Sequence, residues 1–183
     1  MTNRVQTDDA PRPASKHGGE GPAASTVGRA VTINQPPDAV YARFRDFAQL
    51  PSFMENVVRI DVIDETRSHW VVKAPAGGTV EWDARVTHDE PGRLIAWTSE
   101  EGAQVPNSGR VEFRDAGRRG TVVAATISYD PPAGIVGKIV AKMFQREPAI
   151  QARRDLRRFK QLLETGEIAT AATTRADHEK DNS

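Results

Sequence analysis

Glu81, Asp83 and Arg85 are the residues of this sequence whose types and spacing most clearly suggest acid–base chemistry. Paired carboxylates can exchange protons with a substrate that lies between them. However, residues 79–88 alternate between apolar and polar types, which predicts a β-strand with Trp82 on the opposite face. We therefore expect the three charged side chains on the solvent side of a sheet, in cross-strand charge pairs. No catalytic residue is predicted.

The sequence offers little for metal or nucleophile chemistry. It contains no cysteine, which excludes disulfides, thiolate nucleophiles and cysteine-ligated metals. His69 stands alone, and His88 is followed by Asp89 and Glu90 at a strand end, where consecutive side chains diverge. The glycine clusters lack the spacing of a phosphate-binding loop. No metal site and no cofactor are predicted.

Three polar side chains remain as candidates for an internal site. The hydroxyl groups of Ser99 and Tyr129 could hold a ligand carbonyl or satisfy a buried water molecule. Lys73 joins them only if its strand shifts by one residue. We expect a ligand contact from Ser99 and Tyr129. If the site is instead catalytic, these two residues and Lys73 are the candidates for its acid–base groups.

The element that must organise such a site is a long helix predicted over residues 148–164. Pro148 is tolerated in a first helical turn, and Gly166 follows as a stop signal. At 100° per residue, one apolar stripe contains Ala149, Ala152, Leu156, Phe159 and Leu163. The opposite half contains Arg153, Arg154, Arg157 and Arg158. The apolar stripe has to be buried against another layer.

Short segments of period two upstream supply that layer. Strands are predicted at residues 27–34, 57–63, 68–74, 79–88, 93–99, 109–115 and 121–130. Two short helices, at 38–44 and 47–54, follow the first strand. The predicted class is therefore α+β: a curved seven-stranded antiparallel sheet wrapped around the C-terminal helix, with the last strand beside the first.

Length and composition indicate one domain between two tails. Residues 1–26 and 169–183 are rich in small and polar residues, so both are predicted to be disordered, on either side of a domain at 27–168. The 25 acidic residues balance 25 basic residues, so nucleic-acid binding is not expected. Because no signal peptide or membrane-spanning stretch is found, a cytoplasmic location is expected.

This order of elements resembles the helix-grip fold of the START-like (SRPBCC) superfamily. The similarity is closest to its polyketide cyclase/dehydrase and coenzyme Q-binding START-like branch. The similarity rests on VTIN at 31–34, PP at 36–37, VY at 40–41, DF at 46–47, LP at 50–51, FM at 53–54, WVVKAP at 70–75, EWDA at 81–84, IAW at 95–97, Ser99, GRV at 109–111, RGT at 119–121, YDPP at 129–132 and LRRFK at 156–160.

The resemblance implies an apolar cavity between the sheet and the last helix. The ligand-binding residues that it implies are Trp70, Val72, Trp82, Ala84, Trp97, Ser99, Phe113, Tyr129, Met143, Phe144, Leu156 and Phe159. The expected function is binding or carriage of a small hydrophobic molecule, such as a lipid, a quinone or a polyketide-like ring. Two alternatives stay open: a cyclase/dehydrase that uses the same cavity, and a regulatory protein whose core is completely filled.

Basic residues near the last helix allow two interpretations. They form either an ordinary solvated face or a surface that contacts an anionic membrane transiently. In the second case, each cation would contribute about 1 kcal/mol of binding free energy. The residues of this surface are Lys138, Lys142, Arg153, Arg154 and Arg157. In the membrane interpretation, Met143 and Phe144 would gate the cavity.

Overall fold

The computed structural model describes residues 25–74, 77–129 and 148–168. Its centre is one antiparallel sheet of seven strands in the order β1-β7-β6-β5-β4-β3-β2. The strands are β1 Ser25–Ile33, β2 Val57–Val62, β3 Arg67–Lys73, β4 Thr79–Glu90, β5 Leu94–Ser99, β6 Asn107–Asp115 and β7 Thr121–Tyr129. Consecutive strands from β2 to β7 pair with each other, and β1 pairs with β7. This arrangement confirms the predicted topology.

The helices also follow the prediction. Helix α1 (Pro37–Arg45) has a proline in its first turn, and a 3-10 helix (Phe47–Ser52) contains Pro51. Helix α2 (Pro148–Thr165) ends at Gly166, which has a φ of +77°. Its amide donates to the carbonyl oxygen of Leu162 at 2.9 Å, which closes the last turn of the helix.

Helix α2 lies on the concave face of the curled sheet and buries its apolar stripe there. Phe159 is fully buried, and its ring centroid lies 4.6 Å from that of Phe53 and 5.7 Å from that of Phe44. Lys160 Nζ donates to the carbonyl oxygen of Thr32 at 2.7 Å. These contacts hold α2 against β1 and against the two short helices.

The largest differences from the predicted strand boundaries are two residues, and they occur in β1, β4 and β6. Strand β1 begins at Ser25, two residues before the predicted start at Val27, because its pairing with β7 extends to Tyr129. Strand β4 continues to Glu90 through a bulge between Val86 and His88. The other residues of the two predicted tails lie outside the described part of the chain.

Glu81 and Asp83 of β4 lie on the outer face of the sheet, as predicted. His69 Nδ1 lies 2.7 Å from Asp83 Oδ1, and its Nε2 lies 3.4 Å from Glu81 Oε2. The hydrogen bond to Asp83 raises the pKa of His69 above its ordinary value. These cross-strand charge pairs confirm that Glu81 and Asp83 face away from Trp82. Arg85 is exposed, but it also borders an internal cavity.

A polar cluster fixes α1 to the hairpin between β4 and β5. Tyr41 Oη donates to Asp89 Oδ1 at 2.6 Å, and Arg45 Nε donates to Asp89 Oδ2 at 2.8 Å. Arg45 also donates to the carbonyl oxygen of Glu65 at 2.6 Å. Burial, with a contribution from Asp89, raises the pKa of Tyr41 to about 12. A single carboxylate therefore joins two side chains of α1 to the sheet.

We expect Asp89→Ala to lower the free energy of unfolding by about 1–2 kcal/mol, because it removes two charge-assisted hydrogen bonds at a partly buried site. Urea unfolding measures this change. The matched control is Asp61→Ala, since Asp61 pairs with Arg59 where both side chains are more than half exposed. The control is expected to change stability by less than about 0.5 kcal/mol. Equal losses in the two variants would contradict the assignment of Asp89 as the connecting residue.

Candidate functional site

A cavity of about 230 Å³ lies between the concave face of the sheet and the first half of α2. Its walls come from all seven strands, from α1 and α2, and from the 3-10 helix with the residues that follow it. Besides residues that were predicted, the apolar lining includes Phe47, Met54, Val111, Ala125 and Ile127. The alternative in which the core is completely filled does not predict such a cavity.

The structure brings together seven of the residues that were predicted to line the site. These are Trp70, Val72, Trp82, Ala84, Trp97, Tyr129 and Leu156. Met143 and Phe144 lie outside the described residues. Ser99, Phe113 and Phe159 do not line the cavity, and each has a different place in the fold.

Phe113 and Phe159 are part of the solid core beside the cavity. Both contact Phe44 of α1, with ring centroids 6.0 Å and 5.7 Å apart, in edge-on geometry. Phe44 also borders the cavity, whereas Phe113 and Phe159 do not. A ligand contact of these two rings stays a prediction.

Ser99 has a structural role at the start of β6. Its Oγ accepts a hydrogen bond from the backbone amide of Asn107 at 3.0 Å. The residue borders a shallow surface groove with Glu100 and Glu101, rather than the internal cavity. A ligand contact of Ser99 stays a prediction.

Three indole rings give the cavity its aromatic wall. The rings of Trp70 and Trp82 are stacked, with centroids 6.3 Å apart and planes within 7° of parallel. Trp70 Nε1 donates to Ser68 Oγ at 2.9 Å, and Trp97 Nε1 donates to Asn107 Oδ1 at 3.3 Å. Because both indole N–H groups already have hydrogen-bond partners in the protein, a ligand can bind beside Trp70 and Trp97 without supplying a hydrogen-bond acceptor.

Trp97 can take its position because its cross-strand partner on β6 is Gly109. A Cβ atom at Gly109 would lie 2.8 Å from the Cη2 atom of Trp97 and 2.8 Å from the carbonyl oxygen of Thr126. Any larger residue would therefore displace the indole ring. The GRV segment at 109–111 thus helps to shape the wall.

The end of the cavity around Asp155 of α2 is polar. Asp155 Oδ1 accepts hydrogen bonds from the Glu55 amide at 3.3 Å and from Gln151 Nε2 at 2.9 Å. Burial raises the pKa of Asp155 to about 6, against the lowering effect of these bonds and of Arg158. Burial, with Asp155 nearby, also raises the pKa of Tyr129. This end thus combines a carboxyl group and a phenol in a largely apolar site.

Sequence reasoning missed Asp155, although a signal was present. Asp155 follows Ala152 by three residues and precedes Phe159 by four, so it falls within the apolar stripe of α2. An acidic residue on a face that must be buried is a candidate for a functional group.

We expect Asp155→Asn to stabilise the protein at pH 7 by on the order of 1 kcal/mol. The folded-state pKa of about 6 exceeds the ordinary value of 3.8. The folded protein therefore loses stability as the pH rises from about 4 to 6, where only the unfolded chain has released this proton. Asparagine keeps the Oδ1 acceptor and carries no charge. Urea unfolding from pH 4 to 7 measures both effects, and a variant that is less stable than wild type at pH 7 would contradict this expectation.

The basic residues of α2 divide into two groups. Arg153, Arg154 and Arg157 are exposed, while Arg158 is half-buried with its Nε buried and without a hydrogen-bond partner. Lys138 and Lys142 lie outside the described residues, so membrane contact through this surface stays a prediction. No helix in the described part of the chain is long and apolar enough to span a membrane.

The cavity and its surrounding fold have known relatives. Residues 33–157 match the family described as polyketide cyclase / dehydrase and lipid transport. An uncharacterized 17.2 kDa protein of Streptomyces lincolnensis, from the melC2-rnhH intergenic region, is 29% identical over 141 residues, covering 76% of this chain and 90% of that protein.

Solved structures agree with this match. A Deinococcus radiodurans protein is 43% identical, with a TM-score of 0.64 over 78% of this chain and 100% of that one. The Zhui aromatase/cyclase of Streptomyces sp. R1128 is 17% identical, with a TM-score of 0.63 over 80% of this chain and 100% of that one. The second similarity shows a shared fold.

Proposed function

Since the chain belongs to the polyketide cyclase/dehydrase and lipid transport family, we propose that it binds a small hydrophobic molecule between the sheet and α2. The observation that carries this proposal is the cavity, whose wall contains all three tryptophans of the sequence. A wall of indole faces gains free energy when it contacts a ligand instead of water, by roughly 25 cal/mol for each Å² of apolar surface buried.

The size of the cavity favours a compact ligand. Its volume of about 230 Å³ is below the range of roughly 300–1,000 Å³ that is typical of pockets for drug-sized molecules. A ligand of one or two fused rings suits this volume better than a long acyl chain. Asp155 and Tyr129 at the polar end would orient a polar substituent of that ligand.

Carriage of the ligand between membranes is the finer form of this proposal. The exposed Arg153, Arg154 and Arg157 would contact an anionic surface together with Lys138 and Lys142. Each cation near such a surface contributes about 1 kcal/mol. Co-sedimentation with anionic vesicles, but not with neutral ones, would support this step.

Isothermal titration calorimetry with 1-naphthalenemethanol tests the binding function. We expect one binding site for each chain, a dissociation constant of tens of micromolar, and a negative heat-capacity change from apolar burial. Absence of saturable heat at millimolar probe, at two temperatures, would overturn the proposal. Native mass spectrometry of freshly purified protein would show whether a natural ligand remains bound.

A second candidate function is cyclase/dehydrase chemistry in the same cavity. It is favoured by Asp155, whose pKa of about 6 suits a general base near neutral pH, and by the phenol of Tyr129 at the same end. Incubation with a linear poly-β-ketone thioester tests it. Faster ring formation with wild type than with Asp155→Asn would support this function, and equal rates would count against it.

A further inference from the structure

We propose that the cavity prefers ligands that carry a protonated amine, which would bind to Oδ2 of Asp155. This inference rests on the proposed binding function and names its ligand class: a compact hydrophobic amine of one or two rings.

The geometry of Asp155 leaves one carboxylate oxygen available. The two hydrogen bonds that described residues make to this carboxylate both end at Oδ1. Among the residues at 25–74, 77–129 and 148–168, no lysine or arginine nitrogen lies within 4.0 Å of either carboxylate oxygen. Asp155 is one of the residues that line the cavity.

The surroundings compensate the charge of Asp155 only in part. Arg158 on the same helix favours the ionised carboxylate, whereas Glu55 opposes it and Tyr129 is neutral at physiological pH. The other contacts come from a backbone amide and from the amide of Gln151, which carry no net charge. Arg85 also borders the cavity, but its guanidinium forms no ion pair with Asp155 within 4.0 Å. Ionised Asp155 therefore places an incompletely compensated negative charge at the end of an apolar cavity.

The charge of the ligand determines the free-energy cost of burying the ionised carboxylate of Asp155. A neutral ligand removes water from the cavity and leaves Oδ2 with weaker partners. A carboxylate ligand adds a second negative charge to the same apolar space. An ammonium group instead forms a charge-assisted hydrogen bond to Oδ2, and the aromatic wall also attracts cations.

The test uses three probes that share one ring system: 1-naphthylmethylamine, 1-naphthalenemethanol and 1-naphthoic acid. At pH 7.5 we expect calorimetry to show that the amine binds at least about tenfold more tightly than the alcohol, and that the acid binds most weakly. Asp155→Asn is expected to bring the affinities for amine and alcohol within about twofold of each other. Asp61→Asn, which removes the same charge from an exposed site, should keep the preference of the wild-type protein.

The outcomes separate this inference from the proposed function. If the alcohol binds but the amine binds no more tightly, the amine inference is overturned while the binding function stands. If no probe binds, both are overturned. Should Asp155→Asn fail to fold, the wild-type protein still provides a test. Its preference for the amine should shrink between pH 7.5 and 5, as Asp155 takes up a proton, and a constant preference would overturn the inference.

Discussion

Replacing Phe159 with alanine is expected to lower the free energy of unfolding by about 3–5 kcal/mol. Phe159 has no exposed surface, and its ring contacts the rings of Phe44 and Phe53. These contacts join α2 to both short helices. Loss of the ring would therefore leave a cavity in the part of the core that is solidly packed, in addition to the cavity already present.

Urea or thermal unfolding measures this loss of stability. The matched control is Ile150→Ala, because Ile150 lies on the same helix and is 45% exposed. The control is expected to change the free energy of unfolding by less than about 0.5 kcal/mol. A loss below about 1 kcal/mol for Phe159→Ala would contradict the assignment of this aromatic cluster as the core.

Replacing Ala125 with leucine is expected to weaken the binding of 1-naphthalenemethanol about 50-fold. Ala125 lines the cavity from β7, where its small side chain leaves room for the probe. Leucine adds three carbon atoms to this space. Excluding a similar number of ligand carbons from burial costs roughly 0.8 kcal/mol for each, which gives about the stated change in affinity.

The neighbouring Ala124 supplies the control for this prediction. It lies on the same strand with its side chain on the opposite face of the sheet, and it does not line the cavity. Ala124→Leu should retain the affinity of wild type within about threefold, as measured by calorimetry. If both variants bind the probe as tightly as wild type does, the probe does not occupy this cavity.

Much of the cavity wall could be predicted from the alternation of residues along the strands. Trp82 and Ala84 share a face because side chains on a strand repeat every two residues, and the structure places both in the wall. Leu156 follows in the same way from the helical period of α2. Such repeats indicate which face of a strand or helix is buried, and they can be recognised from residues that are close together in the chain.

The extent of the cavity along that buried face could not be predicted in this way. Phe113 and Phe159 have the same pattern as the lining residues, but Phe44 of α1 occupies the space between them. Where α1 crosses the sheet depends on tertiary packing and on the cluster around Asp89, which joins residues 44 or more positions apart in the chain. A local repeat carries no information about such contacts.

The unusual protonation of Asp155 at the polar end of the cavity also results from tertiary packing, because burial raises the pKa of this residue. Asp155 becomes unusual only because α2 turns it into the cavity beside Gln151 and Tyr129. On an exposed helix the same residue would be an ordinary surface acid. The sequence shows that an acid lies within an apolar stripe, but the raised pKa and the available Oδ2 follow from the folded structure.

The central claim is that an apolar molecule occupies the space between the sheet and α2. Labelling the protein with ¹⁵N-tryptophan tests this claim directly, because all three indole rings line the cavity. Titration with 1-naphthalenemethanol should shift all three indole N–H signals along one saturable curve with one site for each chain. Binding shown by calorimetry without movement of these signals would place the probe elsewhere and contradict the account.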